Sequence, residues 1–243
     1  MSAAALHRLG GEGPDILFIH GFGADRLSWL ALAPKLFPFG TVWAVEYAGH
    51  GMAGNDVGEG NPSDLSRAIA AQINGRLAAP LVVGHSLGGT VALHLAARDD
   101  MDVSGLVLLA PAGLTELPAP SFIDALPELT DGAAAHDLLK QLVAREVLMT
   151  RRMADAFVDS LDDPARRAAL RTISAALKSA PPPPFPPDSP VTVLWGDADA
   201  ILPPPTQPLA GMRLLANVGH LPQIEAAGDV ADTVKEYLAA IAD

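Results

Sequence analysis

Ser86 sits in Gly84-His85-Ser86-Leu87-Gly88-Gly89, and its surroundings decide what a hydroxyl there can do. The apolar run Leu81-Val82-Val83 precedes it, and the Ala/Leu-rich run Thr90 to Arg98 follows. The order strand, Gly-x-Ser-x-Gly, helix predicts a sharp turn that lifts the Ser86 hydroxyl above a sheet edge. Glycines at 84 and 88 suit a place where strand and helix come close. The free N–H groups of the helix start can receive a developing oxyanion. A serine hydroxyl is a weak nucleophile until a base takes its proton, and that base is usually a histidine oriented by a carboxylate.

The C-terminal third offers both partners. Val191 to Gly196 reads as a buried strand running into Asp197-Ala198-Asp199; Met212 to Ala216 reads as the next strand, running into Asn217-Val218-Gly219-His220. His220 is the expected base. Asp197 and Asp199 compete for the acid. Asp199 is favoured because, beyond a tight turn at Gly196, the later residue has the reach to bend back. Asp197 suits a turn position, where its side chain bonds nearby backbone. All three groups then lie beyond C-terminal ends of strands, where open parallel sheets hold ligands. A further loop, His20-Gly21-Phe22-Gly23, follows the buried run Asp15 to Ile19. The N–H groups of Phe22 and Leu87 are the expected oxyanion donors, with His20 holding the loop by side-chain hydrogen bonds.

These segments resemble the motifs of the α/β-hydrolase superfamily over nearly the whole chain. The resemblance implies nucleophile at Ser86, acid at Asp199 and base at His220. Asp56 to Gly60, Leu108 to Leu114 and Gly219 to Glu225 further resemble the α/β-hydrolase-type domain of the dihydrolipoamide acetyltransferase component of acetoin dehydrogenase, as does the region 121–161 its lid. Fused members carry a lipoyl domain first; with the first core strand near Asp15, none is expected here. Where the superfamily usually has Asp-x-x-Gly-His-Gly-x-Ser, this chain has Glu46-Tyr47-Ala48-Gly49-His50-Gly51-Met52-Ala53, so His50 reads as a turn residue.

The elements that must position these groups follow from pattern. Short apolar runs at 16–19, 41–46, 81–83, 105–110, 191–195 and 213–216 predict buried strands, with an edge strand at 6–9. Helices are expected near 27–36, 63–77 (with Ser63 as N-cap), 87–98 and 226–242. The alternation implies an α/β fold, a mostly parallel sheet flanked by helices. It breaks between Gly113 and Ser189. There helices are expected at 136–148, 151–161 and 164–178, ending in the proline-rich stretch 181–187. The expected organisation is a core of residues 1–113 and 189–243, with residues 114–188 a helical lid inserted after the sixth strand. Leu142 and Met149 are candidate substrate-binding residues in the lid. Arg145, Arg151 and Arg152 could meet a substrate carboxylate, although a solvated face suits their flanking charges.

Composition narrows the classes. The 243 residues suit one domain and carry no cysteine, which removes disulfides and thiolate chemistry. The seven histidines lack ligand-like spacing, so no metal and no cofactor are expected. A net charge of −12 argues against nucleic acid and anionic membranes as partners. With no signal-like N-terminus and no membrane-length apolar run, the expected address is the cytoplasm. The expected activity is cleavage of an ester, a thioester or an activated C–C bond of a small apolar carbonyl substrate. Acyl transfer to a thiol such as dihydrolipoamide, or a non-catalytic binding module, are the alternatives. A serine nucleophile disfavours a haloalkane dehalogenase.

Overall fold

The computed structural model describes residues 4–114, 119–186, 189–207 and 209–242. Seven strands form one sheet: β1 (Ala5–Gly10), β2 (Asp15–Ile19), β3 (Thr41–Glu46), β4 (Leu81–His85), β5 (Gly105–Leu109), β6 (Val191–Gly196) and β7 (Met212–Leu215). Their order is β1-β3-β2-β4-β5-β6-β7. Only β1 is antiparallel, paired with β3 at the edge. The central strands β4 and β5 are buried along their whole length, as continuous Val/Leu runs require when helices cover both faces.

The two-residue period of a strand sorts side chains between those faces. Val82, Leu106, Leu108, Val193 and Trp195 pack toward helices α1 (Pro62–Ile73) and α2 (Leu87–Ala96), with Leu65, Ile69 and Val91. Val83, Val107, Leu109 and Leu194 point the other way. They meet Trp29, Leu32 and Leu36 and the final helix, whose Val230 and Val234 are fully buried.

The insertion holds α3 (Pro120–Ala125), α4 (Gly132–Leu139), α5 (Arg151–Ser160) and α6 (Pro164–Ser179). Two further helices, α7 (Pro222–Glu225) and α8 (Ala227–Ala242), close the chain. The insertion has its own apolar cluster, including Phe122, Leu126, Leu139, Met149 and Leu170. Ile201 and Leu221, from the loops after β6 and β7, join it, so the insertion rests on the C-terminal edge of the sheet. No helix among the described residues is long and apolar enough to cross a membrane.

Several local expectations need correction. The insertion follows the fifth strand, not the sixth, because β1 alone precedes β2 among the described residues and takes the outer edge beside β3. The expected boundary at 188 and the end of the proline stretch lie outside the described residues. The segment 27–36 is two short 3₁₀ turns, Arg26–Trp29 and Ala33–Lys35; Pro34 lacks the N–H that a continuous helix would use. The cap of α1 is Asn61, whose Oδ1 accepts the Asp64 N–H at 2.9 Å, and Ser63 lies inside the first turn. The helix expected at 136–148 begins instead at Gly132, capped by Asp131, and ends at Leu139. Beyond it come 3₁₀ turns at Lys140–Leu142 and Glu146–Leu148. The physical reason is long-range. The Leu142 carbonyl accepts the His220 N–H at 2.8 Å, and Glu225 accepts the N–H groups of Ala144 and Arg145 at 3.2 and 3.1 Å. Those bonds pull the backbone out of helical geometry.

Glu46 ends β3 with its side chain fully buried. It accepts N–H from Arg26 (3.2 Å) and Met52 (2.8 Å), the Arg26 guanidinium (2.8 Å), and shares a 3.1 Å bond with His7. Burial alone would raise its pKa, but the Met52 and Arg26 N–H bonds and the Arg26 guanidinium together hold it below its ordinary value of 4.5. A carboxylate depressed in the folded state adds stability that is complete above the unfolded pKa and lost as pH falls through the folded one. Glu46→Gln should therefore cost about 2 kcal/mol near neutral pH, with the gap to wild type closing in acid. Denaturant unfolding of both proteins at neutral and acidic pH measures this; a gap independent of pH would assign the stabilisation to packing.

Candidate active site

The turn between β4 and α2 places Ser86 at φ 52° and ψ −119°, a left-handed conformation rare for a side-chain-bearing residue. Such a residue costs about 1–3 kcal/mol and persists only when its surroundings hold it. Here the Ser86 N–H donates to the Leu109 carbonyl at 2.9 Å, and the Ser86 carbonyl accepts from Gly89 (2.9 Å) and Ala112 (3.2 Å). The flanking glycines are sterically required. A Cβ on Gly84 would lie 2.6 Å from the Gly88 carbonyl oxygen, and one on Gly88 would collide with the Ile19 and His20 carbonyls.

Ser86 Oγ lies 3.0 Å from His220 Nε2, and His220 Nδ1 lies 2.7 Å from Asp199 Oδ2. All three residues are buried. The carboxylate keeps the proton on Nδ1 and leaves the Nε2 lone pair facing the serine hydroxyl. Asp199 Oδ1 accepts the N–H groups of Ile201 and Leu202 at 2.9 and 2.8 Å, which fixes the carboxylate in turn. Asp197 is exposed, and its Oδ1 accepts the Asn217 N–H at 2.7 Å. It is a turn residue that does not reach the imidazole. Gly196 makes the arrangement possible, because a Cβ there would strike the Val218 and Gly219 carbonyls of the histidine loop.

Phe22 and Leu87 both line a cavity of about 360 Å³ that includes Ser86 and His220 in its wall. Neither backbone N–H donates to a protein acceptor among the described residues. Leu142 and Met149 line the same cavity. Arg145, Arg151 and Arg152 do not. Arg145 bonds Glu225, Arg151 bonds Asp155 at 2.8 Å, and Arg152 is exposed.

Three histidines besides His220 surround the site. His20 Nδ1 lies 2.9 Å from the Gly21 carbonyl, and the ring stacks on Tyr47. Tyr47 in turn donates its hydroxyl to the His20 carbonyl at 2.9 Å. His85 Nε2 donates to the His220 carbonyl at 2.7 Å. His50 does more than turn the chain. Its Nε2 accepts the Gly23 N–H at 3.0 Å, and its Nδ1 donates to the Ala48 carbonyl at 3.1 Å, so it sets the loop that carries Phe22. Burial lowers the pKa of all three, aided for His50 and His85 by neighbouring histidines. They are neutral, as an accepting Nε2 on His50 demands.

Glu225 also organises the site. Its buried carboxylate accepts the Gly219 N–H at 2.6 Å together with those of Ala144 and Arg145. It joins the histidine loop to the insertion. The acid six residues after Gly219 was the available signal. Among the described residues no three His, Asp or Glu side chains are grouped to hold a metal ion.

A profile of the alpha/beta hydrolase family matches residues 16–233. Among curated proteins, the chain is 30% identical over 240 residues to a dihydrolipoyllysine-residue acetyltransferase component of an acetoin cleaving system from Pseudomonas putida. That match covers 95% of this chain and 65% of the relative, so the chain spans just under two thirds of that protein. A pimeloyl-[acyl-carrier protein] methyl ester esterase from Neisseria meningitidis is 32% identical, with 92% of each chain covered. Among solved structures, a meta-cleavage product hydrolase from Pseudomonas fluorescens IP01 superposes with a TM-score of 0.80 at 19% identity, over 99% of this chain and 95% of that one. A thermophilic esterase from Thermogutta terrifontis superposes with a TM-score of 0.76 at 21% identity, covering 98% and 93%. At such identities the structural likeness speaks for the fold alone. With the profile match over most of its length, the chain belongs to the alpha/beta hydrolase family.

Proposed function

We propose that the protein is a cofactor-independent serine hydrolase acting on a small apolar carbonyl substrate. The observation that carries this reading is the Ser86–His220–Asp199 hydrogen-bond chain in the wall of an apolar cavity. Ser86 Oγ attacks the carbonyl carbon while its proton passes to His220 Nε2. The N–H groups of Phe22 and Leu87 receive the oxyanion. The imidazolium, stabilised by Asp199, gives its proton to the departing oxygen, sulfur or carbon. Water, deprotonated by His220, then attacks the acyl-enzyme, and the acid leaves with Ser86 restored. An ester, a thioester and an activated C–C bond all suit this chemistry, and the 32% identical methyl ester esterase falls in the same range. The insertion 114–188 serves as the lid that shapes the acyl pocket.

A second reading has a specific observation behind it. The similarity to acetyltransferase components of acetoin cleaving systems suits interception of the acyl-enzyme by a thiol such as dihydrolipoamide. Acceleration of turnover by a lipoyl-bearing protein favours that reading; indifference to it favours hydrolysis.

Ser86→Ala should lower turnover of a p-nitrophenyl ester by about a million-fold and abolish fluorophosphonate labelling, with an unchanged circular dichroism spectrum. Near-normal turnover by the pure variant would sink the mechanism, and a wild type that takes no label would favour a binding module.

Asp199→Asn should lose about 10⁴-fold in kcat, because the amide cannot hold the Nδ1–H tautomer or stabilise imidazolium. Asp197→Asn should lose less than about tenfold, since the side chain serves only a turn. Steady-state kinetics on both variants test this, and the reverse ranking would reassign the acid.

Leu142→Ala and Met149→Ala should each shift acyl-length preference toward longer chains. The shift should be graded, because a methylene in such a pocket is worth about 1–3 kcal/mol. Specificity constants across an ester series give the measurement. An unchanged profile in both variants would remove these residues from the substrate-binding wall.

A further inference from the structure

Among the described residues, Arg166 is the only arginine or lysine in the wall of the cavity that holds Ser86. It projects from the first turns of α6 and is half-buried. One guanidinium nitrogen donates to the Gly51 carbonyl, and no carboxylate pairs with it among the described residues. Its neighbour Arg167 also lacks a carboxylate, but it bonds two carbonyls, those of Pro127 and Leu129, and lies outside the cavity wall. Arg171 is paired through two bonds to Glu128, and Arg98 through two to Asp100. The acid nearest to Arg166 in sequence, Asp163, is engaged in capping α6 through Ala165 and in bonding Asn55. The other charged group in the cavity wall, Asp25, accepts the Leu27 N–H at 2.7 Å and makes no ion pair with Arg166.

A guanidinium presents five donors in a planar fork that matches a carboxylate. Here one is engaged by protein, and the group faces an otherwise largely apolar cavity wall in a protein of net charge −12. A half-buried guanidinium with one carbonyl partner has donors left over that an anionic ligand can take in charge-assisted bonds. Resting on the proposed serine chemistry at Ser86, we infer that Arg166 is a specificity-determining residue that binds a carboxylate at the far end of the substrate. The preferred substrate class is then a carbonyl compound whose apolar chain ends in a carboxylate, such as a half-ester of a dicarboxylic acid.

The test compares mono-p-nitrophenyl adipate and suberate with p-nitrophenyl hexanoate and octanoate, which match them in chain length and lack the terminal charge. The readout is the ratio of kcat/KM for the charged ester over the neutral one. Arg166→Gln keeps a donor for the Gly51 carbonyl but removes the charge. It should lower that ratio at least about tenfold, as expected for losing a charge-assisted bond. Arg166→Lys, which keeps a point charge without the fork, should fall between. A ratio equal in wild type and both variants would overturn the inference, leaving Arg166 as an anchor of the insertion to the Gly51 turn. If neither ester is turned over and Ser86 takes no fluorophosphonate, the catalytic reading fails separately. Calorimetry with monomethyl adipate then decides on Arg166. Binding to wild type that weakens at least about tenfold in Arg166→Gln supports the subsite, and equal or absent binding rejects it.

Discussion

The left-handed turn at Ser86 is the constraint on which the rest of the site depends. A serine avoids that backbone region unless neighbouring structure forces it there. The force comes from β4 and α2, both buried, which must reverse direction within one residue. Their axes approach so closely that only glycine fits at 84 and 88. Ser86 donates to Leu109 and accepts from Gly89 and Ala112, which ties the turn to its own helix and to β5 and the residues that follow it. The hydroxyl is thereby presented beside the helix start, where N–H groups have no intrahelical partner.

Around that turn, buried carboxylates organise backbone. Glu46, Asp199 and Glu225 each accept at least two main-chain N–H groups. Each holds a different loop, and the three loops meet at the cavity. Glu46 fixes the turn after β3, whose His50 accepts the Gly23 N–H and so sets the Phe22 loop. Asp199 orients His220. Glu225 clamps the His220 loop against 143–145. Burying an acid is tolerable when charge-assisted bonds replace water, and those bonds are directional enough to position backbone. The neutral histidines His20, His50 and His85 extend the same network without adding charge near His220.

The insertion is joined to the sheet edge by polar ties at its margins and apolar packing between. Leu142 and Glu225 tie one side to the histidine loop, and Arg166 and Asn55 tie the other to the Gly51 turn. Ile201 and Leu221 enter its apolar cluster. The cavity is therefore a space between two separately built layers, and its lining comes from both. A substitution in α5 or α6 can change the pocket without disturbing the turn at Ser86.

The amino-acid sequence by itself determined the sheet, because strands buried on both faces must be written as continuous apolar runs. It also marked the Gly-x-Ser-x-Gly turn and the loops that carry His220 and the two aspartates, since glycine is demanded wherever backbones crowd. Within those loops local pattern loses its grip. The reach beyond Gly196 already favoured Asp199 over Asp197 in sequence, but only tertiary structure shows how Gly196, passing beneath the 218–219 backbone, brings Asp199 to His220 and leaves Asp197 on Asn217. Only tertiary structure ended α4 at Leu139, because Glu225, eighty positions beyond Arg145, takes the Ala144 and Arg145 N–H groups that a longer helix would use. Arg166 becomes a cavity residue only because α6 packs beside the Gly51 turn. Periodicity records which face of an element is buried. It carries no record of which distant backbone will arrive to meet it.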